Sequence, residues 1–198
     1  MPEKKSKKTG IIAGAIILIL VIYLVISFNG LVKKDEKVNL QWNEVQNAYQ
    51  RRLNLIPNLV NVVKGVSEFE QTTLEEIAAA RAKATSVNVS ANTVSPDAFN
   101  NQAAAQDELA AATNNLIIRI EKYPTLKGTA AYSGLQTQLE GTERRIKVAR
   151  KDFNEAINDY NKSIRSFPTN LLAGMFGFSE KTGFRSDAGA DKTIEIKF

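Results

Sequence analysis

Ile11 to Phe28 is an unbroken run of 18 residues without a charge, IIAGAIILILVIYLVISF, directly behind the basic cluster Lys4, Lys5, Lys7 and Lys8. With Leu31 and Val32 it can cover the roughly 30 Å hydrocarbon core of a bilayer as a helix. A cleaved leader has a shorter apolar region and small residues at its cut site. Here the run is long and bulky, and its end, Val25-Ile26-Ser27-Phe28-Asn29, has no A-x-A pattern. The expectation is an uncleaved transmembrane anchor over residues 11–28 behind a basic tail over 1–10. Four lysines precede the run, against Lys33, Lys34 and Lys37 after it. That bias places the N-terminus in the cytoplasm and the main domain outside.

Composition narrows the chemistry. The formal charge is +5, of which the first ten residues hold +3 (four lysines and Glu3), leaving about +2 for the rest. A nucleic-acid partner needs a concentrated basic face, so none is expected. Cysteine and histidine are both absent. There is then no disulfide framework or thiol nucleophile, and the commonest general base and metal ligand is missing.

After the anchor the pattern is helical. Val38, Trp42, Val45, Tyr49, Leu53, Ile56, Val60 and Val63 step by three and four, the apolar stripe of an amphipathic helix. Only Asn29-Gly30 interrupts the path from the anchor, so one continuous helix is expected through Gly30, with Pro57 kinking rather than ending it. Gly65 marks a bend or break. A second helical segment follows over Val66 to Ala84, with Phe69, Leu74, Ile77, Ala78 and Arg81. Thr85 to Ser95 reads as a loop, and Ser95-Pro96-Asp97 as a capped helix start. Phe99, Ala103, Leu109, Ala112, Leu116, Ile120 and Tyr123 continue that helix until Pro124 stops it.

The last helix has the clearest repeat. Leu135, Leu139, Thr142, Ile146, Ala149, Phe153, Ala156, Tyr160, Ile164 and Phe167 alternate steps of three and four, a coiled-coil-like period, until Pro168. Beyond it Leu171, Leu172, Met175, Phe176 and Phe178 cluster among glycines. A polar linker, SDAGADK, leads to the alternating end Thr193–Phe198, a short strand or extended end. The fold class is therefore all-α: a single N-terminal transmembrane helix leading into an elongated antiparallel bundle of about four helices over 29–168, with an irregular C-terminal tail over 169–198.

Several of these residues resemble the signature of LemA family proteins. Gln50-Arg51-Arg52-Leu53-Asn54-Leu55-Ile56-Pro57-Asn58-Leu59-Val60, then Val63-Lys64-Gly65 and Glu70, carry it, with Asp35-Glu36 and Trp42 upstream. Tyr123-Pro124, Leu126-Lys127, Leu139-Glu140-Gly141-Thr142-Glu143-Arg144, Ile146, Ala149-Arg150, Phe153-Asn154, Tyr160-Asn161 and Phe167-Pro168 continue it to about residue 180. Asn54 stands where an Asp is usual and Phe153 where a Tyr is usual. The resemblance implies a bacterial, membrane-anchored protein built as a long antiparallel helical bundle. A relative is linked to magnetosome membranes, which points to membrane organisation. It implies no established activity.

Two polar features qualify as sites. Arg51-Arg52 could bind an anionic partner. The simpler reading is that the arginines pair with acids of the last helix, Glu143 or Glu140, and set its register. Asn43, Asn47, Gln50, Asn54, Asn58 and Asn61 form an amide stripe on the first long helix, and Asn154, Asn158 and Asn161 another on the last. Such a stripe is either a solvated face or a subunit or partner interface. The candidate interface is thus Arg51, Arg52, Asn43, Asn47, Asn54, Asn58 and Asn61. The carboxylate groups Glu68 with Glu70, Glu75 with Glu76, Asp152 with Glu155 and Asp159, and Asp187 with Asp191 read as solvated helix faces. No catalytic residue, metal or cofactor is expected. The expected role is a non-enzymatic scaffold, self-associating, in the bacterial cell (inner) membrane. Its partners are the lipid bilayer and unidentified membrane or envelope proteins. The alternatives are a regulatory accessory of a membrane enzyme such as a protease, or a membrane-shaping oligomer.

Overall fold

The computed structural model describes residues 3–65, 70–87 and 96–184. Among these the regular structure is entirely helical: α1 Glu3–Lys64, α2 Gln71–Ser86, α3 Pro96–Ile120, α4 Pro124–Lys127, α5 Ala130–Arg165 and α6 Thr169–Met175. Helix α1 passes through Gly30 and Pro57 without interruption and ends before Gly65. Val66, Phe69, Glu68, the Ser95 cap, the SDAGADK linker, Asp187, Asp191 and the Thr193–Phe198 alternation lie outside the described residues. The chain forms two compact units, one of Met1–Leu40 with Glu155–Lys181, the other of Gln41–Asn154 with Thr182–Phe198.

In the first unit α1 and α5 run antiparallel. The Lys34 ammonium donates to Ser163 Oγ and to the Asp159 carbonyl, the latter at 3.3 Å, and Lys37 pairs with Asp159 at 3.7 Å. The chain then turns back along α5. Asn161 donates to the Lys181 carbonyl at 2.7 Å and accepts from the Lys181 amide at 2.9 Å. Lys181 reaches Asp35 at 2.6 Å and lies over the Tyr160 ring. Among the described residues one helix, α1, is long and apolar enough to cross a membrane, and its apolar run from Ile11 is exposed.

The second unit is the bundle. Trp42 stacks near Phe153, and Arg52 pairs with Glu143, so α1 and α5 are antiparallel here as well. Trp42 meets Phe99, Gln46 meets Gln102 and Arg52 meets Gln106, so α1 and α3 run the same way. Lys83–Glu108 and Arg119–Glu70 set α2 antiparallel to α3. Leu53, Leu55, Ile56, Leu59 and Val63 of α1, Ile77, Ala80 and Ala84 of α2, and Ala105, Leu109, Leu116 and Ile120 of α3 make one core with Leu126, Tyr132 and Leu139.

Several expectations are corrected. Helix α2 begins at Gln71 and extends through Thr85 and Ser86; it buries Thr73, Ile77, Ala80 and Ala84, and Ala78 is exposed. Pro124 does not stop α3, which ends at Ile120. It opens α4 at the first-turn position, where its missing N–H costs nothing. Phe167 keeps the period of α5 but lies beyond its last residue and is 80% exposed. Thr169–Met175, within the stretch expected to be irregular, is helical.

Candidate functional site

The stripe on α1 is a true heptad seam. Val38, Val45, Arg52 and Leu59 step by seven, as do Trp42, Tyr49, Ile56 and Val63, and all eight are at most 3% exposed. Arg52 therefore occupies a core position, not a surface one. A seven-residue count from Val38 identifies it; a hydropathy scan, which takes Leu53 instead, does not. Helix α3 repeats the device, with Gln102 and Gln106 buried in step with Phe99 and Leu109.

Arg52 is held from two helices, through its two terminal nitrogens, while its buried Nε has no hydrogen-bond partner among the described residues. It donates to the Gln106 carbonyl at 2.8 Å, to Gln106 Oε1 at 3.2 Å and to Glu143 Oε2 at 2.5 Å. Gln46 and Gln102 exchange amide hydrogen bonds of 2.8 and 3.1 Å, and Gln102 also donates to the Val87 carbonyl. A polar layer at a/d positions fixes helix register, because any slip leaves its groups unpaired. Beside Arg52, the buried Tyr49 hydroxyl has no hydrogen-bond partner among the described residues. Burial pushes its pKa up to about 12, against the opposing pull of Arg150 and Arg52.

An aromatic cluster closes one end. Trp42, Phe99 and Phe153 pack with Phe184, whose ring centroid lies 5.5 Å from that of Phe153. Phe184 comes from the tail and is held by Asn154, which accepts from its amide at 2.9 Å and donates to its carbonyl at 3.3 Å. Arg150 covers the Phe184 ring and pairs with Asp107 at 3.1 Å. Asn154 and Asn161 are thus occupied by the chain's own tail, and Asn158 stays exposed.

Arg51 has the opposite fate. It is exposed and lines a groove of about 850 Å3 between α1 and α5. Asn47, Gln50, Asn54 and Asn58 line the α1 wall, and Gln138, Arg144, Arg145 and Val148 the other. Asn43 and Asn61 are exposed outside it. Gln50 donates to Asn54 at 3.0 Å along the wall. Ala48, Leu55 and Ala149 are buried beneath, and Val148 is 56% exposed. Antiparallel packing puts Gln41, Glu44 and Asp152 at one end and brings Arg51, Arg144 and Arg145 towards the other. None of these three arginines, nor Glu44 or Asp152, has an ion-pair partner among the described residues. Along its length the groove runs from an anionic end at Glu44 and Asp152, past the exposed Val148, to the three arginines level with the Arg52–Glu143 pair, and then to the amides of Asn54, Asn58 and Gln138. Among the described residues no three Asp or Glu side chains gather as a metal site.

A sequence model of the LemA family matches residues 41–198. Protein LemA of Metamycoplasma hominis is 26% identical over 177 residues, 86% of this chain and 77% of that protein. Magnetosome proteins MamQ 1 and MamQ 2 of Paramagnetospirillum magneticum are each 34% identical over 83 residues, 42% of this chain; the chain spans 30% of their length.

Proposed function

We propose that this chain, which belongs to the LemA family, is a membrane-anchored scaffold that recognises partners along helix faces and performs no covalent chemistry. Its first partner is a second copy of itself. The observation that carries the reading is the charge order along the α1–α5 groove. A two-fold axis crossing the groove near Val148 sets Arg51, Arg144 and Arg145 of one copy against Glu44 and Asp152 of the other, twice. The exposed Val148 then meets its own symmetry mate, and the amides of Asn47, Gln50, Asn54 and Asn58 supply donors and acceptors around it. Residues 11–28 hold each copy in a bacterial cell (inner) membrane, with the N-terminus cytoplasmic and the bundle outside; the two-fold axis reverses α1, so two docked copies carry their anchors at opposite ends and join facing membrane surfaces. The magnetosome relatives favour a second reading of the same class, an oligomer that organises the membrane carrying it.

The native chain has no cysteine, so Val148→Cys gives a single-thiol protein. Oxidation of the full-length protein in detergent, where the anchors are free to lie at opposite ends, should convert it to a species of doubled mass, and Lys122→Cys, on an exposed turn away from the groove, should not. A Val148→Cys protein that stays at single mass overturns the two-fold docking.

A further inference from the structure

The first unit carries an apolar surface that the anchor and the bundle do not explain. From Ser166 to Ser179 the chain holds no charge, SFPTNLLAGMFGFS. Within it α6 buries Leu172 and Ala173 and turns Leu171, 62% exposed, and Met175, 78% exposed, outward, a step of four along one helix face. Phe167, 80% exposed, stands in the turn just before the helix. Phe176, 46% exposed, extends that face. The turn that ends α6 is fixed. Gly177 takes φ 76°, the Phe178 amide donates to the Ala173 carbonyl at 2.9 Å and the Phe176 amide to the Leu172 carbonyl at 3.0 Å. A left-handed glycine with a six-to-one bond of this kind is a Schellman stop.

The position of α6 along α1 identifies what covers that face. Thr169 Oγ1 lies 3.4 Å from the Tyr23 hydroxyl, and the Phe28 ring packs against Phe176 at 4.9 Å and Phe178 at 5.9 Å. Tyr23 and Phe28 bound the last six residues of the uncharged run, five rises or roughly 8 Å of helix. Helix α6 is therefore level with the end of the membrane-crossing segment. Charges resume together on every strand of chain leaving this level. Lys33 and Lys34 follow the run, Arg165 precedes α6 and Glu180 follows it, with Arg165 and Glu180 3.8 Å apart. A seven-residue helix is far too short to span a bilayer. An uncharged amphipathic helix at this depth belongs at the boundary between headgroups and acyl chains, where aromatic side chains also concentrate.

We infer that α6 is a second membrane contact, lying in the lipid interface with Phe167, Leu171, Met175 and Phe176 among the acyl chains. This rests on residues 11–28 being the anchor. One spanning helix alone leaves the attached unit free to rotate about its axis and to slide in depth. A lipid-embedded face packed on Tyr23 and Phe28 removes both freedoms. It gives the anchor a defined rotation, so that the same side of the first unit always faces the bilayer surface.

The full-length protein tests this by depth-dependent quenching. Single cysteines are placed at Ile16, Ile26, Leu171, Met175 and Asn158, each exposed, and labelled with an environment-sensitive fluorophore. The proteins are reconstituted in phosphatidylethanolamine–phosphatidylglycerol vesicles, with or without lipid carrying a nitroxide near the acyl carbonyl. Labels at Ile26, Leu171 and Met175 should lose most of their emission together, and a label at Asn158, on α5 beside the Lys37 contact, should lose none. Quenching at Ile16 and Ile26 with none at Leu171 and Met175 overturns the α6 contact and leaves the anchor standing. Labels at 171 and 175 shielded from acyl nitroxide and from aqueous iodide alike would show protein covering the face, which also overturns it. No quenching at Ile16 would overturn the anchor and the α6 contact together. As a second arm, Leu171→Ser with Met175→Ser should keep the helical circular dichroism and lower quenching at Ile26.

Discussion

Arg51 and Arg52 are chain neighbours on one helix, and the molecule uses them in opposite ways. Arg52 stands in the heptad seam, 2% exposed and bonded to α3 and α5. Arg51 stands 100° further round the helix and opens onto the groove. The pair separates two regions of the same bundle: a seam where Arg52 and Gln102 are bonded across to other helices, and a groove where charges of both signs have no ion-pair partner among the described residues. A polar residue in the seam specifies how this chain packs on itself. In the groove it is available to specify a second molecule. The two regions should therefore answer mutation differently, the first through stability and the second through association.

The largest effect is expected in the apolar part of the seam. Phe153→Ala removes a ring that contacts Trp42, Phe99 and Phe184 and should cost about 3–5 kcal/mol in denaturant unfolding, from lost burial and the cavity left behind. A cost below roughly 1 kcal/mol would mean the cluster is not core. Arg52→Ala comes next, at about 2–4 kcal/mol, because Gln106 loses two hydrogen bonds and Glu143 its partner. Glu143 is half-exposed and can be rehydrated, which keeps this below the cost of stranding a fully buried charge.

Tyr49 gives a smaller effect with a pH signature. Its phenol titrates near 10 in the unfolded chain and is pushed up to about 12 by burial in the fold. Below pH 10 both states are protonated and stability is unaffected. As pH rises through 10 towards 12 the unfolded chain loses its proton first, and about 2–3 kcal/mol of stability is lost with it. Tyr49→Phe should remove that share of the alkaline loss and cost little at neutral pH, since the hydroxyl has no hydrogen-bond partner among the described residues to leave behind. An identical alkaline profile for both proteins would contradict the burial of the phenol.

The smallest stability effect belongs to the groove. Asn47→Glu with Asn54→Glu should leave the melting temperature near wild type, since exposed substitutions usually stay within about 0.5 kcal/mol. The same pair should lower oligomer mass, because the new charges at position 47 meet near the two-fold axis and each new charge at position 54 approaches the acidic end, Glu44 and Asp152, of the other copy.

How much of this was legible in the sequence follows from periodicity. The all-α class, the unbroken α1 and the α5 stripe from Leu139 to Ile164 repeat over many turns, and they stand in the structure. The family resemblance, carried by Arg51-Arg52, Pro57-Asn58 and Leu139–Arg144, agrees with the matched family model. The pairing of an arginine with Glu143 was expected, and Arg52 makes it; Arg51 does not. Small residues hid the inner face of α2, because Ala80 and Ala84 carry little hydropathy and Thr73 none. Phe184 escaped notice because an extended tail segment held by one asparagine has no period to detect. The groove was invisible for a different reason. Its amides were visible as a stripe on α1, but Arg144, Arg145 and Val148 belong to α5, and only the packing of the two helices makes them one surface.

The central claim is that two copies meet groove to groove, and a charge exchange tests it most directly. Full-length wild type, Arg144→Glu/Arg145→Glu, Glu44→Lys/Asp152→Lys and the chain carrying all four changes are compared by mass photometry in detergent. An interface burying over about 1,000 Å2 is large enough to be read this way. Each double variant, in which the Arg51–Arg144–Arg145 level and the Glu44–Asp152 end now carry the same net sign, should run as a monomer. Their equimolar mixture and the fourfold variant should both recover the wild-type dimer mass. Double variants that keep the wild-type mass, or a mixture that stays monomeric, would show that the copies meet elsewhere; a wild type that is itself monomeric would end the self-association reading altogether.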